Sequence, residues 1–213
     1  MTTLEWVKEK KIIAIVRGLP PTYMRKLAEA LYQGGINLME VTFQQAKPET
    51  WQDTGDAIRN ISAHMEGRML VGAGTVMNER QLELARAAGA EYIITPNTNP
   101  QFIRKVKACG LISFSGALTP SEIVAAFEAG ADAVKVFPAG QLGPAYIKAV
   151  RAPLAHIPLM AVGGVNEKNA RDFISAGCCG VGVGGNLVNK EWIEQGQWDK
   201  ITALAAEYRK AVG

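Results

Sequence analysis

A single (β/α)8 TIM barrel with a short helix ahead of its first strand is the fold class this 213-residue sequence predicts. Three observations lead there. Short apolar runs recur eight times, starting at 11, 37, 68, 92, 111, 133, 158 and 180, about 24 residues apart, which is the length of one strand–helix unit. Amphipathic segments of helical period fill the intervals. No Pro/Gly/Ser-rich linker and no charge block divides the series, so residues 1–213 read as one domain. A doubly wound open sheet is the competitor, but eight similar units without a dinucleotide-binding fingerprint favour closure.

Taken in order, the runs are 11–17 (KIIAIVR), 37–43 (NLMEVTF), 68–76 (RMLVGAGTV) and 92–96 (YIITP), then 111–117 (LISFSGA), 133–139 (AVKVFPA), 158–165 (PLMAVGGV) and 180–185 (GVGVGG). Most are rich in Val and Ile and bounded by Gly, Pro, Asn or Thr, as buried parallel strands are. Thr3–Lys10 reads as the short leading helix. Segments 79–88 and 121–129 show the helical pattern, and Gly34, Gly89, Gly110, Gly130 and Gly177 stand where left-handed glycines end helices. These caps account for part of a high glycine count, 22 against 10 prolines.

Composition narrows the functional class. With 48% hydrophobic and 20% charged residues the chain is neither disordered nor fibrous. Its formal charge of +3 gives no reason to expect nucleic acid, so an anionic ligand needs a local site. No apolar run reaches the ~18 residues of a membrane span, and the first ten residues hold no signal core. Cys109, Cys178 and Cys179 are odd in number and two are adjacent, which points to reduced thiols and a cytoplasmic protein. His64 and His156 belong to no Cys/His/carboxylate cluster, so a His-based metal site is not expected, carboxylate-bound magnesium stays open, and no cofactor is called for. Cys178 and Cys179 read as packing residues near the last strand.

Two residues violate the apolar pattern of their strands. Alternation sets Ala133, Lys135 and Phe137 on one face, and leaves Val134 and Val136 to meet the helices, so Lys135 points into the barrel. Burial pulls an ammonium's pKa down at ~1.36 kcal/mol per unit, a cost that calls for a use. In the second strand the faces are Leu38/Glu40/Thr42 and Met39/Val41/Phe43, and Glu40 points inward too. Strands 2 and 6 lie opposite each other, so Glu40 and Lys135 can meet in the barrel mouth. The bland reading is a snorkelling lysine or a structural ion pair, and buried pairs are weak evidence for stability. A desolvated amine beside a carboxylate is instead the apparatus of imine chemistry.

Anion-binding groups are expected at the strand ends. Arg17 closes the first strand and suits a carboxylate. Gly163–Gly164 and Gly184–Gly185 end strands 7 and 8, where barrels hold phosphate on backbone N–H groups. Thr75 and Pro96 are candidates to line the mouth, with ordinary turn roles as the alternative.

These residues resemble a known family. Ile-Val-Arg-Gly (15–18), Gly-Gly-Ile…Glu-Val-Thr (34–42), Gly-Ala-Gly-Thr-Val (72–76), Thr-Pro-Ser-Glu (119–122), Lys-Val-Phe-Pro-Ala (135–139) and Gly-Gly-Val (163–165) are similar, in order and over essentially the whole chain, to the 2-keto-3-deoxy-6-phosphogluconate (KDPG) / 4-hydroxy-2-oxoglutarate (KHG) aldolases. The resemblance implies a class I aldolase that releases pyruvate and an aldehyde from a small anionic 2-keto-4-hydroxy acid, assembled as a homotrimer. It places the Schiff-base lysine on Lys135, the acid/base glutamate on Glu40, and pyruvate-pocket positions on Arg17, Thr75, Pro96 and Phe137. There are departures. The family's Glu-Val-Thr-Leu-Arg-Thr reads Glu-Val-Thr-Phe-Gln-Gln here, which puts Gln44 at a carboxylate-binding arginine and leaves Arg17 as the expected sole cationic anchor. Gly185 stands at the phosphate-contacting serine, and the Ser-Pro-Gly after strand 4 reads Thr-Pro-Asn. An aldolase for the 6-phosphogalactonate epimer, or for an unphosphorylated 2-keto-3-deoxy acid, is therefore the alternative. A sugar-phosphate isomerase or epimerase, and a non-catalytic metabolite sensor on the same barrel, are the more distant readings.

Overall fold

The computed structural model describes residues 3–213; Met1 and Thr2, the start of the expected single domain and of the segment read for a signal, lie outside the described residues. Eight parallel strands follow one another around a closed barrel: β1 (Ile12–Val16), β2 (Leu38–Thr42), β3 (Leu70–Gly74), β4 (Tyr92–Ile94), β5 (Ile112–Ala117), β6 (Ala133–Val136), β7 (Leu159–Val162) and β8 (Gly180–Val183). The last strand pairs back onto the first, Ile12 opposite Val181 and Ala14 opposite Val183. Helices α1 (Thr3–Lys10), α2 (Met24–Gln33), α3 (Trp51–His64), α4 (Glu79–Ala87), α5 (Pro100–Ala108), α6 (Pro120–Glu128), α7 (Ala139–Arg151), α8 (Ala170–Ser175), α9 (Lys190–Glu194) and α10 (Trp198–Val212) accompany them. The expected barrel and its leading helix are both present.

Strand alternation builds two separate apolar masses. Met39, Val41, Val134, Val136 and their equivalents face the helices and form the outer shell. Ile13, Leu38, Tyr92, Ile94, Phe114, Ala133 and Met160 fill the barrel interior, joined by Val7 of α1. Full burial of each large side chain stabilises by ~1.5–3 kcal/mol, so this interior plug is packed core rather than a channel. Tyr92 is fully buried there and donates its hydroxyl to the Met39 carbonyl at 2.8 Å.

The loops at the carboxyl ends of the strands are fixed by their caps. Asn78, Asn99 and Thr119 each accept a backbone N–H at the start of α4, α5 and α6, and Thr119 with Glu122 closes a capping box. At the opposite ends, Gly89, Gly110, Gly130 and Gly177 take the expected left-handed conformation. Gly34 does not: its φ is −79°, and the left-handed residue is Gly35 at +85°. Gly34 is required by packing, because a Cβ there would stand 2.4 Å from Ala205 Cβ in α10.

Candidate active site

The polar residues of the barrel interior sit above its apolar plug. Lys135 lies in β6 opposite Gly116 of β5 and Met160 of β7, between two helix-facing valines, and is 6% exposed. Glu40 lies in β2 opposite Ile15 of β1 and Gly72 of β3, and is 1% exposed. Glu40 fits because β3 carries glycine: a Cβ on Gly74 would stand 1.6 Å from Glu40 Oε1. The missing side chain is the hollow that holds the carboxylate.

Burial dominates the electrostatics of both groups. It lowers the Lys135 pKa, the Glu40 carboxylate partly opposes it, and the Arg17 guanidinium pushes further down. Burial raises the Glu40 pKa, against the pull of Lys135 and Arg17. The two side chains sense each other without forming an ion pair, and Glu40 Oε2 accepts no hydrogen bond. The expected meeting in the mouth is thus electrostatic rather than a contact. The arrangement supplies an amine biased toward its neutral, nucleophilic form and a carboxyl group biased toward holding a proton.

Above Lys135 opens a cavity of about 670 Å³ at the carboxyl ends of β6, β7, β8 and β1. Among the sequence-derived candidates, Arg17, Lys135, Phe137, Gly163, Gly164, Gly184 and Gly185 line it together. Lys135 Nζ lies 5.0 Å from the centre of the Phe137 ring. Glu40, buried in β2, does not line this cavity. Thr75 and Pro96 do not line the cavity. Pro96 is half-buried with its backbone against Gly116, a consequence of β4 ending already at Ile94. Thr75 follows Gly74 in a left-handed conformation, φ 55°, which a β-branched residue rarely adopts. Its carbonyl accepts a 2.6 Å bond from Gln45, and Gln45 accepts one from the fully buried Gln81.

One cation was not foreseen. Lys190, the first residue of α9, lines the same cavity, so Arg17 and Lys135 are not the only basic side chains along it. Gln44 stays beside Gly18, with its Oε1 and Lys190 Nζ each 3.7 Å from the point where a Gly18 Cβ would stand. The sequence held one sign of Lys190: a lysine directly after an N-cap asparagine opposes the helix dipole. Asn186 was also missed; its amide donates to the Val165 carbonyl and ties the loop after β8 to the loop after β7.

Cys178 is buried in the outer shell and Cys179 is half-buried against the interior plug, with burial raising their pKa values to about 12 and about 11. Among the described residues no group of three or more His, Cys, Asp or Glu side chains could hold a metal ion. No helix of the described chain is long and apolar enough to cross a membrane.

The family model described as KDPG and KHG aldolase matches residues 4–204. The chain is 33% identical over 210 residues to the 2-dehydro-3-deoxy-6-phosphogalactonate aldolase of Escherichia coli strain K12, covering 98% of this chain and 100% of that one. It is 31% identical over 208 residues to the 2-dehydro-3-deoxy-phosphogluconate aldolase of Haemophilus influenzae, covering 96% and 93%. Its fold superposes with a TM-score of 0.84 on the KDPG aldolase of Legionella pneumophila, solved with pyruvate captured as a covalent carbinolamine, at 26% identity and covering 96% and 97%. The chain belongs to the KDPG and KHG aldolase family.

Proposed function

We propose that this chain is a class I aldolase, a carbon–carbon lyase that cleaves a KDPG- or KHG-type 2-keto-4-hydroxy acid to pyruvate and an aldehyde, glyceraldehyde 3-phosphate or glyoxylate. The observation that carries the reading is a buried lysine with a lowered pKa, set under a cation-lined cavity and within electrostatic range of a buried carboxyl group.

Lys135 Nζ adds to the C2 ketone, and loss of water from the carbinolamine gives the iminium. Glu40 takes the proton of the C4 hydroxyl as the C3–C4 bond breaks. The bonding pair enters the iminium to form the enamine of pyruvate, and the aldehyde leaves. Return of the proton to C3 and hydrolysis of the iminium release pyruvate and restore the lysine. Arg17 anchors the carboxylate and Phe137 shapes the pyruvate pocket, while Thr75 and Pro96, outside the cavity lining, hold the ends of β3 and β4 behind it. Gly163, Gly164, Gly184 and Gly185 form the rim for the far end of the substrate. The protein acts as one barrel domain, a cytoplasmic homotrimer.

A second reading is favoured by two observations. The relative in Escherichia coli matched over its full length is a phosphogalactonate aldolase, and this chain departs from the usual motifs at Gln44 and Gly185, outside the Lys135–Glu40 pair. That reading keeps the chemistry and changes the C4 configuration accepted. Borohydride reduction with pyruvate, followed by peptide mass analysis, tests both: the Lys135 peptide gains a pyruvate-derived mass. A folded protein with no adduct at Lys135 defeats the aldolase reading. Relative rates of pyruvate release from the two epimeric phosphorylated acids and from 4-hydroxy-2-oxoglutarate rank the substrates.

A further inference from the structure

We propose that Lys190 is a specificity-determining residue that binds a second oxyanion, on the aldehyde half of the substrate. The inference rests on the aldolase reading and deepens it by naming the charge that this chain offers to the aldehyde half of the substrate.

The cavity is lined by three cations, Arg17, Lys135 and Lys190, and by no carboxylate. Neither Arg17 nor Lys190 forms an ion pair among the described residues. With Lys135 biased toward its neutral form, Arg17 and Lys190 are two exposed cations on the rim of one cavity, and together they attract an anionic occupant. One monocarboxylate end of a keto acid cannot serve both Arg17 and the wall beyond it, which leaves Lys190 for a second anionic group.

Among the described residues, the one hydrogen bond of Lys190 is a long one, 3.4 Å, to the Gly18 carbonyl after β1. Its position just after the Asn189 cap is unfavourable for a cation. It reaches the cavity from the start of α9, beside Gly18 after β1. Beside it Asn186 is pinned to Val165, and the Gly185 N–H has no acceptor among the described residues. A lysine, an unpaired amide and a glycine rim give an oxyanion several donors at once.

The second oxyanion can be a phosphate ester or a second carboxylate. Three substrates separate them: a 6-phosphorylated 2-keto-3-deoxy acid, 4-hydroxy-2-oxoglutarate, and an unphosphorylated 2-keto-3-deoxy sugar acid. In Lys190→Met the preference, as a ratio of kcat/KM, for the substrate that uses Lys190 over the unphosphorylated acid should fall about tenfold through KM. That is the lower end for a charged hydrogen bond, as the exposure of Lys190 requires. Lys190→Arg should restore most of the preference, and added salt should shrink the difference between variants. Loss for the phosphorylated substrate identifies the phosphate, and loss for 4-hydroxy-2-oxoglutarate the carboxylate. A ratio unchanged for both, or equal losses on all three acids, overturns the proposal. Calorimetric titration of glycerol 3-phosphate and of glyoxylate separates this from failure of the aldolase reading, since it needs no turnover. Weaker binding of either by Lys190→Met supports the proposal even where no Lys135 adduct forms, and equal binding of both by wild type and variant refutes it.

Discussion

Substituting Gly74 by alanine should disable the enzyme without touching a reacting group. The added Cβ would stand 1.6 Å from Glu40 Oε1 and 2.4 Å from its Cδ. An ordinary nonbonded contact is about 3.5 Å, so the carboxylate must withdraw by roughly 2 Å. A 1 Å misplacement of a reacting group costs on the order of 100-fold, and a general base contributes about 10²- to 10⁴-fold in all. The expected loss in kcat is therefore at least about 100-fold. Overpacking costs ~1–3 kcal/mol of stability, which a domain with ~5–15 kcal/mol survives. Pyruvate release coupled to lactate dehydrogenase reads kcat, and a urea transition confirms the fold. Combining Gly74→Ala with Glu40→Asp, one methylene shorter, should recover part of the loss, which a merely unstable barrel would not do. A folded Gly74→Ala enzyme that keeps more than a third of its kcat refutes the hollow as the device that positions Glu40.

Two further outcomes follow from the same geometry. Replacing the buried pair by Glu40→Gln with Lys135→Met should abolish activity and stabilise the fold at neutral pH by ~1–4 kcal/mol. Above its ordinary 4.5, Glu40 is ionised in the unfolded chain while the folded chain still holds the proton, so wild-type stability falls with rising pH. Lys135 acts oppositely: below its ordinary 10.5 the folded chain has released a proton that the unfolded chain keeps, so wild-type stability rises with pH there. The gain of the double variant is therefore greatest between these limits, and urea midpoints no higher than wild type across pH 6–9 would contradict it. Gly185→Ser should be accepted without strain, because its Cβ meets nothing within 4 Å and its φ is not positive. One added hydroxyl donor, worth about 1 kcal/mol, should lower KM for a phosphorylated substrate about fivefold; an unchanged KM would place the phosphate elsewhere.

What the sequence made legible follows from the physics of parallel strands. Both faces of such a strand are buried, so the eight runs read as nearly uniform apolar segments, and Glu40 and Lys135 stood out as the exceptions. Their inward direction needed only alternation against Val134 and Val136, or Met39 and Val41. The loops were less legible because their geometry depends on neighbours distant in the chain. Gly34 and Gly35 are adjacent glycines, and which one turns left-handed is decided by α10, some 170 residues later. Lys190 belongs to the cavity only because β8 closes onto β1 and carries the start of α9 toward Gly18. Thr75 carries no local mark of its left-handed backbone, since the groups that hold it, Gln45 and Gln81, come from two other segments.

The end of β3 shows why these features belong together. Gly74 leaves the hollow for Glu40, and the very next residue is bent into a left-handed turn at a cost of ~1–3 kcal/mol. Such strain persists only where its surroundings over-determine it. Here Gln45 holds the Thr75 carbonyl, while Gln81 holds Gln45 and also accepts the Met77 N–H at 2.7 Å. An ordinary extended residue at 75 would carry β3 onward past Gly74, and a side chain at 74 would displace Glu40. The strand must therefore end where it does. The uncompensated oxygen of Glu40, the glycine beside it and the strained threonine after it are three consequences of seating a carboxylate inside a barrel wall. The stability to hold them comes from the apolar plug below, where Leu38 and Tyr92 share strands with Glu40 and with the turn that follows Ile94.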